Sequence, residues 1–566
     1  MMGAKHVIRR VTNSENDTGS SSKSTTSSNS DRDHNPSSSN RDRYHNETSP
    51  ANMILINEPP PTTSTELESD THINVRSVSP CLETGSLKAE QAPQNVQNPP
   101  QTQDQATEDT ATNSQPASTQ FRAIIVGGGP NGLCLAHALY LAGIDYVLLE
   151  RGGEIINQSG AGLALWPHSV RILDQLGLLD EARKHYFPIK TKHNHRPDGS
   201  VRDVNDMFAK VEVNHGHPWM LFHRVTLLEL LWENLPDKET RVKVNKKVES
   251  VVSNHDGVVV TCSDGTSEAG SIVIGCDGVH STVRQVMHDL RSEKKKKRPG
   301  RKLSLGRSPS QDKPMRAHYY GLIGWIPLLD GLQPAACYEV RSEPKGKTFT
   351  ILTGEDTAYF IVYIHLEKPT RERSRHTDED AERLAAALAE NKITREITFG
   401  DLWRSRRWGK MLDFQEGFVD KWYHERIVLV GDAVHKMTPN AGLGLNAGWQ
   451  GIAELTNRLR RLVVAEGQRP DARCVEKVFR GYQDSRKGMA KKTMRFSSLY
   501  TRVVANQSLL YRFCDRMTPA VGGDVALLNT MASPIVKKGV TFDFVAERDH
   551  KEGRVRWVHP QHVPAE

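Results

Sequence analysis

Four short segments carry residue types that could do chemistry together. The first is Gly127-Gly128-Gly129-Pro130-Asn131-Gly132, between an apolar run, Ala123–Val126, and a helical pattern, Leu133–Leu141. Glycines at this spacing have separate jobs. Gly127 allows a tight turn, Gly129 lets the backbone approach a pyrophosphate, and Gly132 lets helix and strand pack closely. A helix N-terminus there offers free N–H groups and a positive dipole end to phosphate oxygens. Glu150 ends the next apolar run, 21 residues after Gly129. A carboxylate at that place accepts both ribose hydroxyls of an adenosine and disfavours a 2′-phosphate, so the tight ligand reads as FAD or NAD rather than NADP.

Two later segments separate those ligands. One is Gly275-Cys276-Asp277-Gly278-Val279-His280-Ser281-Thr282-Val283-Arg284, after a strand and opening a helix. The other is Gly431-Asp432-Ala433-Val434-His435-Lys436-Met437-Thr438-Pro439, running on into Asn440-Ala441-Gly442-Leu443-Gly444-Leu445-Asn446. The fourth element, His223-Arg224-Val225-Thr226-Leu227, starts an amphipathic helix.

The elements that must hold these groups follow from periodicity. Ala123–Val126, the glycine turn, the helix ending before Gly143 and the strand Tyr146–Glu150 make a βαβ unit. Val242–Val244, Val258–Val260 and Ile272–Ile274 are separated by Asp256-Gly257 and Asp264-Gly265, which predicts an antiparallel meander. Ile427–Val430 is a further buried strand, followed by a helix over about 445–465 and more helices over 475–530.

Composition bounds the rest. The chain has 566 residues, but roughly the first 120 are dominated by Ser, Thr, Asn, Gln, Pro and Asp. Such a stretch cannot bury enough apolar surface to offset its conformational entropy and reads as a disordered tail. The net charge of +7 is matched by the single run Arg291–Lys302, with eight basic residues and one acid, so the remainder is neutral. That distribution reads as a solvated loop and gives no basic face for nucleic acid. The seven cysteines are scattered without a C-x-x-C pair, which suits a reducing compartment. His193/His195 and His215/His217 lack a third ligand and read as loop histidines, so no metal is expected. There is no apolar leader and no run of 18 apolar residues, and the chain ends in charge (Arg548 to Arg556). A cytoplasmic protein is expected, with any membrane contact peripheral.

The set of segments resembles the class A flavoprotein monooxygenases, which share the p-hydroxybenzoate hydroxylase fold. The glycine turn with Glu150, the segment at Asp277-Gly278 and the segment at Gly431-Asp432 look like that family's three fingerprints, in its order. Phe399-Gly400-Asp401-Leu402-Trp403, Gln415-Glu416-Gly417 and Gly539-Val540-Thr541-Phe542-Asp543-Phe544 resemble the fungal branch acting on terpenoid, meroterpenoid and indole-diterpene precursors. The resemblance implies an α/β fold: a Rossmann-like FAD-binding domain, an inserted antiparallel β-sheet substrate domain and C-terminal helices. It divides the chain into a tail at 1–120, a discontinuous FAD-binding domain at 121–287 and 395–465, a basic insertion at 288–315, a substrate domain at 316–394, and a helical region with tail at 466–566.

It also implies residue roles. Asp432 would accept from a ribityl hydroxyl. Gly442, Gly444 and Leu445 would offer N–H groups to the flavin pyrimidine edge. Arg224 would bind FAD near its pyrophosphate or ring, and Gly162 and Ala164 would lie in the loop passing the flavin. Asp277 would orient phosphate contacts shared by FAD and a passing NADPH. Tyr319 is the catalytic candidate for orienting substrate or donating a proton, although the next residue is Tyr320 where relatives carry Arg. The implied activity uses FAD, O₂ and transient NAD(P)H, and works through a flavin C4a-hydroperoxide. One oxygen atom would go into a small hydrophobic secondary-metabolite precursor as an epoxide or hydroxyl. An aromatic polyketide or phenol hydroxylase, and a non-oxygenating FAD protein, stay open as alternatives.

Overall fold

Residues 123–126 (Ala-Ile-Ile-Val) are apolar on both faces, which suits a strand buried from two sides. In the computed structural model they form β1, Arg122–Val126, pairing in parallel with β2, Asp145–Leu149. The intervening helix α1, Pro130–Leu141, begins on proline, whose fixed φ suits a first helical turn. It stops before Gly143, which holds φ +67°. The structure describes residues 120–157, 160, 162–296, 314–341, 346–467 and 469–560. The expected tail lies outside these but for its last residue, and so does 297–313 of the basic insertion; 288–296 continues the helix Thr282–Lys296.

The first sheet has six strands, in the order Tyr423–His424, Ile427–Leu429, Ile272–Gly275, β1, β2, Val242–Lys243. Two of the three runs expected to form a meander therefore belong here instead. Ile272–Gly275 pairs in parallel with β1, and Val242–Lys243 pairs in parallel with β2. The meander is built from Val248–Ser253, Val258–Cys262 and Ser267–Gly270. Turn dipeptides mark where the chain reverses but not which neighbour a short apolar run selects. Burial on both faces decided for Ile272–Gly275, where Ile272, Val273 and Ile274 are fully buried, while the half-buried Val242–Lys243 forms an edge of the sheet.

The second sheet has eight strands, centred on Met315–Pro327, Thr357–Thr370, Lys347–Thr353 and Ala336–Arg341. It is wider than 316–394, because Trp408–Phe418 and His435–Lys436 extend one side and Thr191–His195 and Val201–Asn205 the other. His193 and His195 thus stand on a strand, with His193 stacked on Tyr338, and not in a loop.

Helices Gly444–Glu466 and Ala472–Val504 follow. The last described stretch returns to the helix Pro167–Gln175. There Gln175 donates to the Phe542 carbonyl at 2.8 Å, and Arg171 forms a fully buried ion pair with Glu547. Among the described residues no helix is long and apolar enough to cross a membrane.

Candidate functional site

A cavity of about 720 Å³ runs from the glycine turn to the second sheet. Eleven expected cofactor residues line it: Gly127, Gly129, Glu150, Gly162, Ala164, Arg224, Asp277, Asp432, Gly442, Gly444 and Leu445. Gly132 stands behind it. A Cβ there would sit 1.8 Å from the Gly127 carbonyl oxygen, so only glycine permits the turn to close. Gly129 differs, since a Cβ on it meets nothing within 4 Å. That side is open for a ligand to approach the backbone.

At the adenosine end, Glu150 is held by two backbone amides. Gly128 N–H donates to Oε2 at 2.6 Å and Gly152 N–H to Oε1 at 2.8 Å. The carboxylate is thereby fixed at the tip of β2, with Arg151, Lys246 and Lys247 on the same cavity lining. The N-cap of α1, Gly129, has no side-chain capping bond, so the first-turn amides face the cavity. The helix Gly444–Glu466 likewise has no side-chain cap at Leu443. Two uncapped helix ends on one cavity are what a pyrophosphate and an electron-accepting ring edge require.

Asp277 is half-buried, and desolvation of its carboxyl raises it above the usual range despite hydrogen bonds to the charged form. Its Oδ2 accepts from Val283 N–H at 3.0 Å while Oδ1 has no partner. Arg284 straps this segment to the later one, donating to the Val279 and Ala433 carbonyls at 2.6 and 2.9 Å. Asp432 is half-exposed on the cavity and paired with Lys436 at 2.5 Å. Arg224 donates to Asn157 Oδ1 at 3.1 Å and packs under Gly160, where a Cβ would come within 2.4 Å of its Cδ. His435 is buried edge-on to Trp422, and burial lowers its pKa to about 4. The donors, glycine openings and orphaned Asp277 oxygen fit FAD along its whole length.

Tyr319 is not brought to this cavity. It is buried against Tyr363, Phe414 and Ala505, and its hydroxyl donates to Gln507 Oε1 at 3.2 Å. The register of Met315–Pro327 turns this position into a core and not into the cavity lining where the expected role would place it.

A charged group that sequence reasoning missed lines the far end. Lys192 Nζ lies 2.7 Å from Tyr500 OH, 3.1 Å from Asp524 Oδ2 and 3.4 Å from Glu339 Oε2. Tyr500 OH donates to Glu339 Oε2 at 2.8 Å. Burial opposes the Lys192 charge, but Asp524 and Glu339 hold its pKa well above the ordinary lysine value. All four residues line the cavity, beside Phe208, Trp219, Leu221, Leu352 and Leu528.

Comparison with known proteins bears on the family and the fold. The profile of the FAD binding domain family matches residues 120–497. FAD-dependent monooxygenase srdH of Neurospora crassa is 34% identical over 456 residues, covering 77% of this chain and 98% of that protein. FAD-dependent monooxygenase paxM of Penicillium paxilli is 29% identical over 436 residues, covering 75% and 87%. A crystal structure of Klebsiella pneumoniae HpxO complexed with FAD and uric acid has TM-score 0.59 at 19% identity, covering 74% of this chain and 97% of that one; this likeness bears on the fold.

Proposed function

The chain belongs to the FAD binding domain family and is an FAD-dependent monooxygenase, and within that class we propose that it oxygenates a hydrophobic secondary-metabolite precursor at the expense of NAD(P)H. The observation that carries this reading is the single cavity joining the Gly127 turn, Asp432 and the Gly444 helix end to an apolar chamber. Bound FAD supplies two-electron chemistry with a nicotinamide and activation of O₂ for transfer of one oxygen atom.

The chain's own residues do the rest. Gly127–Gly129 and the α1 amides hold the pyrophosphate, Glu150 the adenine ribose, and Asp432 a ribityl hydroxyl. The 444–466 helix end stabilises negative charge on the ring edge near Gly442, Gly444 and Leu445. Trp219, Phe208 and Leu221 keep water from the reacting face, which limits wasteful peroxide release. The substrate reads as a terpenoid or meroterpenoid alkene taking the oxygen as epoxide or hydroxyl. The setting reads as cytoplasmic, any membrane contact being peripheral.

The test is incubation of the yellow holoenzyme with NADPH, candidate precursors and ¹⁸O₂, with mass detection of product. Label in a substrate-dependent product supports the reading. Substrate-stimulated NADPH oxidation that puts every oxygen atom into peroxide or water overturns it.

A further inference from the structure

One face of the second sheet is polar where a cavity for an apolar substrate calls for hydrocarbon. In-register neighbours share a face. Lys192 stands opposite Cys337, Asn194 opposite Glu339, Glu339 opposite Thr350, and Thr348 opposite both Arg341 and Tyr363. The helix Ala472–Val504 covers this face, with Thr348 donating to the Val504 carbonyl at 3.1 Å.

Most of these groups satisfy one another. Lys192 has its three N–H directions taken by Tyr500, Asp524 and Glu339. Asp524 Oδ2 also accepts from Asn194 and Asn205, at 2.8 and 3.1 Å. Three polar atoms on residues that line the cavity are left over. The Tyr363 hydroxyl, the Thr350 hydroxyl and Asp524 Oδ1 are buried and accept or donate no hydrogen bond, although Arg341 stands 3.7 Å from the last. Tyr363 is fully buried and Asp524 2% exposed. A buried polar atom without a partner is costly, so the grouping of three on residues of one wall favours a partner that arrives from outside.

We propose that Tyr363, Thr350 and Asp524, charged and fixed by Lys192, form a polar end of the substrate chamber that binds one hydroxyl or carbonyl group of an otherwise apolar substrate. The two hydroxyls donate to that oxygen, and Asp524 Oδ1 accepts from it when it carries a proton. This rests on the oxygenase reading and adds to it the substrate class: an isoprenoid lipophile bearing an oxygen function remote from the alkene that is oxidised. Anchoring that oxygen decides which carbon faces the reactive ring, so the three residues govern regioselectivity.

The experiment uses the full-length holoenzyme and the matched pair farnesol and its deoxy triene, 2,6,10-trimethyldodeca-2,6,10-triene. Binding is read from the visible spectrum of bound FAD. Farnesol is expected to bind at least about tenfold more tightly than the triene, with the preference falling to within about threefold in Tyr363→Phe, Thr350→Val and Asp524→Asn. Retained FAD should be unchanged in all three. The Tm of Tyr363→Phe should also be unchanged, because that hydroxyl has no protein partner. Equal binding of the pair, failure of both to bind, a preference that survives all three substitutions, or a lowered Tm in Tyr363→Phe overturns the polar end. A native protein that holds no FAD instead refutes the oxygenase reading, which separates the two failures.

Discussion

Gly129 and Gly132 sit three residues apart in one turn, and the same substitution should do opposite things to them. Gly129 has φ −76°, which any L-residue adopts, and a Cβ there has nothing within 4 Å. Gly129→Ala should therefore fold normally, gaining about 0.4–1 kcal/mol in the FAD-free protein from the stiffer unfolded chain. The new methyl projects into the space assigned to the pyrophosphate. Overpacking of that kind costs about 1–3 kcal/mol, or roughly five- to 150-fold in FAD affinity. At Gly132 the Cβ lies 1.8 Å from a backbone carbonyl. Gly132→Ala should therefore lose about 3 kcal/mol of stability with or without FAD. Thermal unfolding of FAD-free protein and a flavin-fluorescence titration read the two effects separately. If Gly129→Ala binds FAD as the native chain does, the pyrophosphate is not against that backbone and the orientation assigned to the cofactor is wrong.

Other substitutions test other parts of the site. Asp432→Ala should weaken FAD retention about tenfold or more and lower substrate-dependent O₂ consumption with it; gel filtration followed by absorbance of the retained flavin checks this. Glu150→Ala removes the acceptor of two backbone amides as well as the ribose contact, so equilibrium dialysis should show FAD weakened by about tenfold or more. Tyr319→Phe should cost about 1 kcal/mol of stability through its Gln507 bond and leave turnover unchanged, and a fall in kcat at constant Tm would restore its catalytic candidacy. His435 is buried and neutral, with its pKa lowered from 6.5 to about 4. Between those values the unfolded chain binds the extra proton, so the stability this group contributes is present above about 6.5 and lost as pH falls towards 4. Denaturant melts of His435→Gln across that window should show a pH slope smaller by about one proton.

The cofactor half of the site was legible in the sequence because its demands are local. A tight turn, a close backbone approach and a helix end impose glycines at fixed spacing, and a ribose imposes a carboxylate at the next strand tip. Glu150 stands at that strand tip and lines the cavity, as does Asp432, whose position came from the family resemblance and not from this logic. The substrate half was not legible, because its residues come from separate strands and two late helices. Lys192/Asn194, Glu339/Arg341 and Thr348/Thr350 alternate along their strands, the pattern of a solvent-facing side. Only the helices carrying Tyr500 and Asp524 turn that side inward. Tyr319 failed for a related reason, since a strand aromatic can face a chamber or a core and register alone chooses. Val242–Lys243 and Ile272–Gly275 were assigned to the wrong sheet because short β-branched runs do not declare their neighbours.

The strand order of the first sheet has a consequence for synthesis. Ile272–Gly275 finds its outer neighbour only in Ile427–Leu429, some 150 residues later. Until the ribosome has delivered that segment, the emerging polypeptide presents an unpaired, wholly apolar edge, a template for intermolecular sheet growth. The second anchoring point proposed for the flavin, at Asp432, emerges at the same late stage, so on that reading the vitamin-derived group cannot stabilise the nascent product early. Yield in a heterologous host should accordingly be governed by chaperone supply during translation, and riboflavin feeding should help only once the chain is nearly finished.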